Sequence, residues 1–255
     1  MPELNKANRQ VCDVDIRILK TMMPFLNFET ANTTTAGVSS DSVYAMAKGS
    51  RKIAFANPLQ GTMTIEAQVY PFKLFALLSD GVIDSTAAFA TTKVVAAETV
   101  SDKAVLKITK GENETINAGT VFAYPVDAFG DESARIDGSF ADGVFTPTDE
   151  DKTKLVAGTE YKVGYVVTRT GVKKISFNNK NLPKDYYITM KTVDKDEEGM
   201  LTPFIMTAYK ASIQRNFELS FSSEGDPASV TLTFDLMEDK DGNVLDMVEL
   251  TDDAQ

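Results

Sequence analysis

YYITMKTVDKDEEGMLTPFIMTAYKASIQRNFELSFSSEGDPASVTLTFDLMEDKDGNVLDMVELTD, residues 186–252, is a succession of alternating runs broken by charged turns. Tyr187, Thr189 and Lys191 alternate with Ile188, Met190 and Thr192. Phe217, Leu219 and Phe221 alternate with Glu218, Ser220 and Ser222. Val230, Leu232, Phe234 and Leu236 alternate with Thr231, Thr233 and Asp235. A two-residue period sends alternate side chains to opposite sides of a strand, so each run buries one face and leaves the other polar. Turns fall at DKDEEG (194–199), SEGDP (223–227) and EDKDGN (238–243), the last with an Asp-Gly hairpin signal at 241–242. The stretch predicts antiparallel hairpins whose core includes Phe217, Leu219, Phe221, Leu232 and Phe234.

Working toward the N-terminus, residues 61–69 (GTMTIEAQV) set Met63, Ile65 and Ala67 against Thr62, Thr64 and Glu66, the pattern of a half-buried strand. In residues 70–81 (YPFKLFALLSDG), Phe72, Leu74, Phe75, Leu77 and Leu78 fall on helical spacing. Pro71 suits the first turn and Gly81 the C-terminal cap, so a short helix is predicted over 70–80. Residues 38–58 predict two short strands joined near Gly49. Residues 1–36 are poorly patterned: an apolar island from Ile16 to Phe28 with Pro24 inside it, then a threonine-rich link, ETANTTTAG. They suit either a docking arm or an irregular terminus. The neutral Ala/Thr/Val stretch at 82–100 is ambiguous. Short strands separated by Gly, Asp and Asn clusters then recur to about residue 170, the spacing of a small antiparallel sandwich.

Composition excludes most chemistry. The chain has 255 residues, 43% of them hydrophobic and 25% charged, as in an ordinary globular protein. It has no His and one cysteine, Cys12. No Ser-His-Asp or Cys-His nucleophile can therefore be built, and a zinc, haem or iron–sulfur site has no ligand set. One cysteine cannot form an internal disulfide. The polar N-terminus and the lack of any run near the ~18 apolar residues of a membrane span are those expected of a protein made in a cytoplasm. The net charge is −11, and residues 224–255 hold ten acids against one base, Lys240. That field disfavours a surface gripping nucleic acid.

The remaining motifs favour turns over sites. Asp194, Asp196 and Glu198 with Gly199 match the start of a calcium loop, but the twelfth position is Ile205 instead of Glu, and both flanks are strands. No pair of carboxylates stands out as an acid/base couple, and no phosphate-binding loop or dinucleotide fingerprint is present. No catalytic, cofactor-binding or metal-binding residue is therefore assigned, and no cofactor is expected. Strand centres largely free of blocking lysines and prolines suit a sheet whose edges pair with other copies.

Residues 61–81 resemble the strand-then-helix segment of bacteriophage major tail tube proteins. Residues 206–243 resemble their closing segment, with an S-x-G-D-P type turn and a threonine-rich strand ending in an acidic turn. The resemblance covers about a quarter of the chain. It implies two packed antiparallel sheets in a tail-tube-like sandwich or barrel, with one short helix. It also implies copies in hexameric rings stacked into a tube through which DNA passes to the host without specific binding. On this basis, residues 1–96 form an N-terminal arm and the first part of the tube domain, 97–180 an inserted β-sandwich-like domain, and 181–255 the second part. The polar faces of the late strands then place Glu218, Ser220, Thr231, Thr233 and Asp235 on the channel wall. The partners implied are the protein itself, tail sheath, baseplate and tail terminator proteins, and no membrane. The protein is placed in the virion tail, of contractile, flexible or bacteriocin type, after synthesis in the bacterial cytoplasm. Capsid decoration, a baseplate part and an adhesin-like binding module remain alternatives.

Overall fold

Alternation along the chain becomes a mainly antiparallel β structure. A computed structural model of the chain describes residues 4–216, 218, 224 and 227–250. Strand makes up 56% of it, well above the usual share, and one sheet curls into a half-barrel. Seven strands come first: β1 (Lys6–Ala7), β2 (Asp13–Ile18), β3 (Met23–Phe28), β4 (Thr33–Ser39), β5 (Ser42–Ala47), β6 (Ser50–Ala56) and β7 (Gln60–Ala67). After a helix come β8 (Asp84–Val100), β9 (Lys103–Lys107), β10 (Glu114–Ile116), β11 (Phe122–Pro125), β12 (Gly138–Ala141), β13 (Val144–Pro147) and β14 (Glu160–Lys174). The last four are β15 (Asp185–Asp196), β16 (Leu201–Ile213), β17 (Val230–Met237) and β18 (Leu245–Glu249). Contacts divide the chain into two units, one of residues 1–82 with 175–255 and one of residues 83–174.

The first unit is built on a nine-stranded sheet in the order β3-β2-β15-β16-β17-β7-β4. β1 continues the β2 edge of β15, and β18 lies along β16 beyond β17. Its apolar face buries Val14, Ile16, Met63, Ile65, Tyr186, Ile188, Met190, Leu232 and Phe234. Residues 13–28, which resemble an irregular arm in sequence, form the edge hairpin β2–β3. Val14 and Ile16 do alternate with Asp13, Asp15 and Arg17, but a register shift after Ile16 and Pro24 opposite Arg17 interrupt the pattern. Pro24 also blunts that edge, since it has no N–H to offer a further strand. The threonine-rich link at 33–39 is likewise a strand, β4, at the opposite edge.

The predicted helix is present as a 3-10 helix over Phe72–Leu78, the one helix of more than a single turn among the described residues. Phe72 and Lys73 are exposed and Leu74 to Leu78 are buried without a break, so the burial lacks the one-sided stripe that favours a longer amphipathic α-helix. Gly81, at φ 78°, ends it, and its N–H donates to the Ala76 carbonyl at 3.1 Å in a 6→1 closure.

In the second unit, the ambiguous stretch at 82–100 is the 17-residue strand β8, paired with β14 from Glu160↔Ala96 to Lys174↔Asp84. The path runs β10-β14-β8-β9-β13-β12, with β11 also on β14. An antiparallel bridge from Ala123 in β11 to Ile136, just before β12, brings the far end of that path back to β14. Leu106, Ile136, Phe145 and Val163 are fully enclosed within it. Gly138 is required at its site, because a Cβ there would fall onto the Thr146 carbonyl oxygen and 2.5 Å from the Phe145 ring.

Candidate channel-lining face and a free hairpin

At one end of the nine-stranded sheet, the polar side is assembled from three strands far apart in sequence. Thr231 pairs with Glu66 and Glu66 with Thr33. Thr233 pairs with Thr64 and Thr64 with Thr35. Asp235 pairs with Thr62 and Thr62 with Gly37. Directly opposed residues share a face, so β4, β7 and β17 present nine residues in three rows, six of them threonine. Their charges are Glu66 and Asp235, and none of the nine is basic. Gln214 Nε2 donates to Asp235 Oδ1 at 2.7 Å, which fixes that carboxylate at the face. Farther across, Asp15 and Arg17 of β2 form an ion pair at 2.8 Å.

Of the five residues expected at a channel wall, Thr231 and Asp235 are exposed, Thr233 is half-buried, and Glu218 is exposed outside any strand. Ser220 lies outside the described residues, as do the expected core residues Phe217, Leu219 and Phe221. Leu232 and Phe234 are buried, opposite Ile65 and Met63. The row partners Thr33, Thr35, Thr62, Thr64 and Glu66 were not singled out from sequence. Alternation marked the polar side of β7, and the β-branched threonines of residues 33–35 were a strand signal.

The turns that resemble ion-binding loops use their carboxylates on themselves. Asp196 accepts from the N–H groups of Glu198 and Met200 at 3.0 and 2.8 Å, closing the β15–β16 turn around Gly199 at φ 91°. Asp239 accepts from the N–H groups of Asn243 and Asp241, both at 2.9 Å, and the Asn243 bond chiefly holds its carboxyl below the usual range. Among the described residues, no cluster of three or more acidic or cysteine side chains could hold a metal ion, and no helix is long and apolar enough to cross a membrane.

A second feature is β5–β6, a two-stranded sheet of its own. Its loop is Lys48-Gly49, both at positive φ (50° and 79°), the backbone of a tight primed hairpin turn. Val43 opposes Phe55 and Ala45 opposes Ile53, giving one apolar face. Val43, Ile53 and Phe55 are 57–58% exposed. On the other face, Arg51 lies 4.3 Å from the centroid of Tyr44 beside the exposed Met46. A lone two-stranded hairpin is marginal in water, and an apolar face so open marks a surface meant to be covered.

The sequence was also compared with known proteins. The model of the YomU/Tube protein family matches residues 9–249. No curated protein matches the chain.

Proposed function

This chain belongs to the YomU/Tube protein family, and we propose that it is a structural, non-catalytic subunit of a bacteriophage tail tube. In this reading, copies form rings, hexameric by the family resemblance, which stack into a hollow tube, and double-stranded DNA crosses the lumen toward the host. The observation that carries it is the threonine-rich face of β4, β7 and β17, whose nine paired residues include two acids and no cation, with β4 as an edge strand among the described residues. A wall for moving DNA must not hold phosphates. Hydroxyls and carboxylates without lysine or arginine meet that need, because each cation paired with a phosphate adds affinity through counterion release. An open edge supports continuation of the sheet into a neighbouring copy, since closure around a ring removes edges altogether.

Thr231, Thr233 and Asp235, with Thr33, Thr35, Thr62, Thr64 and Glu66, are the proposed lining. The inserted domain, expected from the sequence over 97–180, is taken to be the compact unit of residues 83–174. The free β5–β6 hairpin supports contact between copies, and sheath, baseplate and terminator proteins are the further partners of such a tube. The virion tail is the corresponding location, with synthesis in the host cytoplasm. Negative-stain electron microscopy of the purified protein over a concentration series tests this. Hollow tubes of uniform width with axial striation are expected. Rings that never stack would favour a capsid or baseplate part, and binding to host cells without assembly would favour an adhesin-like module.

A further inference from the structure

We propose that the second unit takes up an extended segment of another protein as an added strand along the free edge of β8, anchored by an aromatic side chain in a cleft beside that edge. This goes beyond the tube reading and does not depend on it. β8 pairs with β14 along residues 84–96 and with β9 only over residues 97–100. Its other edge is therefore bare over 84–96 among the described residues. Ala97 N–H donates to the Thr159 carbonyl on the β14 side, so by alternation the odd-numbered residues turn their backbone groups to β14. Thr86, Ala88, Ala90, Thr92 and Val94 turn theirs outward, with no backbone partner among the described residues. A row of unpaired N–H and C=O groups is a template for a further strand, and edges are normally blunted by proline, charge or a covering loop. This edge has no proline, and its one lysine, Lys93, is turned back onto the Thr109 carbonyl at 3.1 Å.

The cleft specifies what the segment carries. Gly164 of β14 opposes Thr92 on one side and Phe122 of β11 on the other, so the three share a face. A Cβ on Gly164 would fall 3.0 Å from the Phe129 ring, so glycine lets that ring lie close over the sheet. Phe122, Tyr124 and Phe129, with Ala90, Thr92 and Gly164, line a cleft of about 710 Å³. The Tyr124 and Phe129 rings meet edge-on at 5.2 Å, and Phe122 and Phe129 are each 41% exposed. A further aromatic ring gains edge-to-face contacts with such walls. On an added strand, a residue opposite Ala90 or Thr92 stands in the same rows, and a long side chain crosses the short Ala90 to reach the cleft. Backbone bonds along an edge and a pocket for an alternate side chain are the two parts of strand-addition recognition.

Strands of this unit make poor occupants. A second β8, paired about a two-fold axis, brings only Asp, Thr, Ala and Val side chains to that face and leaves the cleft empty. β10, β11 and β12, at the other margins of the unit, have three or four residues each, too few to cover residues 84–96. The segment that fits is a foreign one, with small or β-branched residues around a single aromatic position.

Selection of a random library of peptides of about twelve residues, long enough to span the bare edge, on the full-length protein supplies the probe. The selected peptides are expected to alternate and to share one aromatic position. A bound peptide is expected to slow amide exchange at Ala88, Ala90 and Thr92, which are open in the free protein. Phe89 and Thr91, already bonded to β14, are expected to stay unchanged. N-methylation of the peptide nitrogens that face β8 is expected to weaken binding by about tenfold or more, and methylation of the alternate nitrogens by less than about threefold. Ala90→Pro removes an outward donor without touching the β14 ladder, so its melt is expected to stay native while binding falls by about tenfold. Phe129→Ala is expected to erase the aromatic preference and keep the exchange pattern.

Protection already present at Ala88, Ala90 and Thr92 in the free protein, and growing with its concentration, would show the edge closed by a second copy and overturn the proposal. A library that yields no binder overturns it too. So do binders indifferent both to N-methylation and to Ala90→Pro, since these sit on side chains and not on the edge. Should Ala90→Pro fail to fold, the N-methyl series on the unaltered protein decides alone. None of these outcomes bears on tube assembly, which microscopy tests separately.

Discussion

At the scale of single residues, burial decides the outcome. Tyr186 is fully enclosed, its ring 5.7 Å from that of Phe25, and its hydroxyl has no hydrogen-bond partner among the described residues. Burial, and then the nearby Asp80, push its ionisation well above the ordinary tyrosine range. An unsatisfied buried hydroxyl costs about 1–3 kcal/mol. Tyr186→Phe is therefore expected to raise stability by about 1 kcal/mol in a denaturant titration, and a loss of stability would reveal a partner for the oxygen. Phe234 makes the opposite case. It is wholly buried on β17 opposite Met63. Phe234→Ala is expected to cost ~3–5 kcal/mol by the same titration, through lost transfer energy and the cavity left behind.

At the scale of elements, a bulge and a turn give the sheet a pH signature. The register between β15 and β16 shifts between Tyr186 and Ile188, leaving Tyr209 and Lys210 in the shifted stretch of β16. Tyr209 stacks edge-on to Tyr187 at 5.9 Å, and its hydroxyl donates to Asp246 Oδ2 of β18 at 2.6 Å. That bond is the main reason its pKa is pushed up to about 12. A pKa raised on folding favours the protonated form in the folded state. The contribution is complete below the ordinary value near 10 and is lost as pH rises from there through about 12. The stability of the native protein is expected to fall more steeply across that window than that of Tyr209→Phe. Parallel curves in pH-dependent thermal melts would rule the bond out as a tie between β16 and β18. Asp239 acts at the other end of the scale. Its lowered pKa makes its turn contribution present above the ordinary carboxyl range and lost as pH falls below it.

At the scale of the whole molecule, the second unit begins and ends at neighbouring points. Asp84 and Lys174 are register partners, with their side chains 3.5 Å apart as an ion pair. Opposed residues of an antiparallel pair lie about 5 Å apart at Cα, so a short Gly-Ser link can replace everything between Val82 and Ile175. The excised protein is expected to keep a cooperative β-type melt and to assemble into tubes without the second unit. A molten or insoluble product would show that residues 83–174 are needed for the first unit to fold. What the sequence determined by itself was whatever is written at short range. The alternation at residues 186–196 and 230–236, the Asp-Gly turn, the helix ended by Gly81 and the lack of histidine chemistry all depend on neighbours a few positions away. Thr231, Thr233 and Asp235 were legible as one polar face for that reason. Tertiary structure alone decided that Thr33 and Glu66 continue the Thr231 row. It also decided that residues 13–28 join the sheet and that the stretch at 82–100 is one long strand. The same holds for residues 19–22, 185–187 and 237–239, which meet in one groove. Each of these depends on which strand pairs with which across tens to hundreds of residues, and a two-residue period sets a strand's faces without naming its partner.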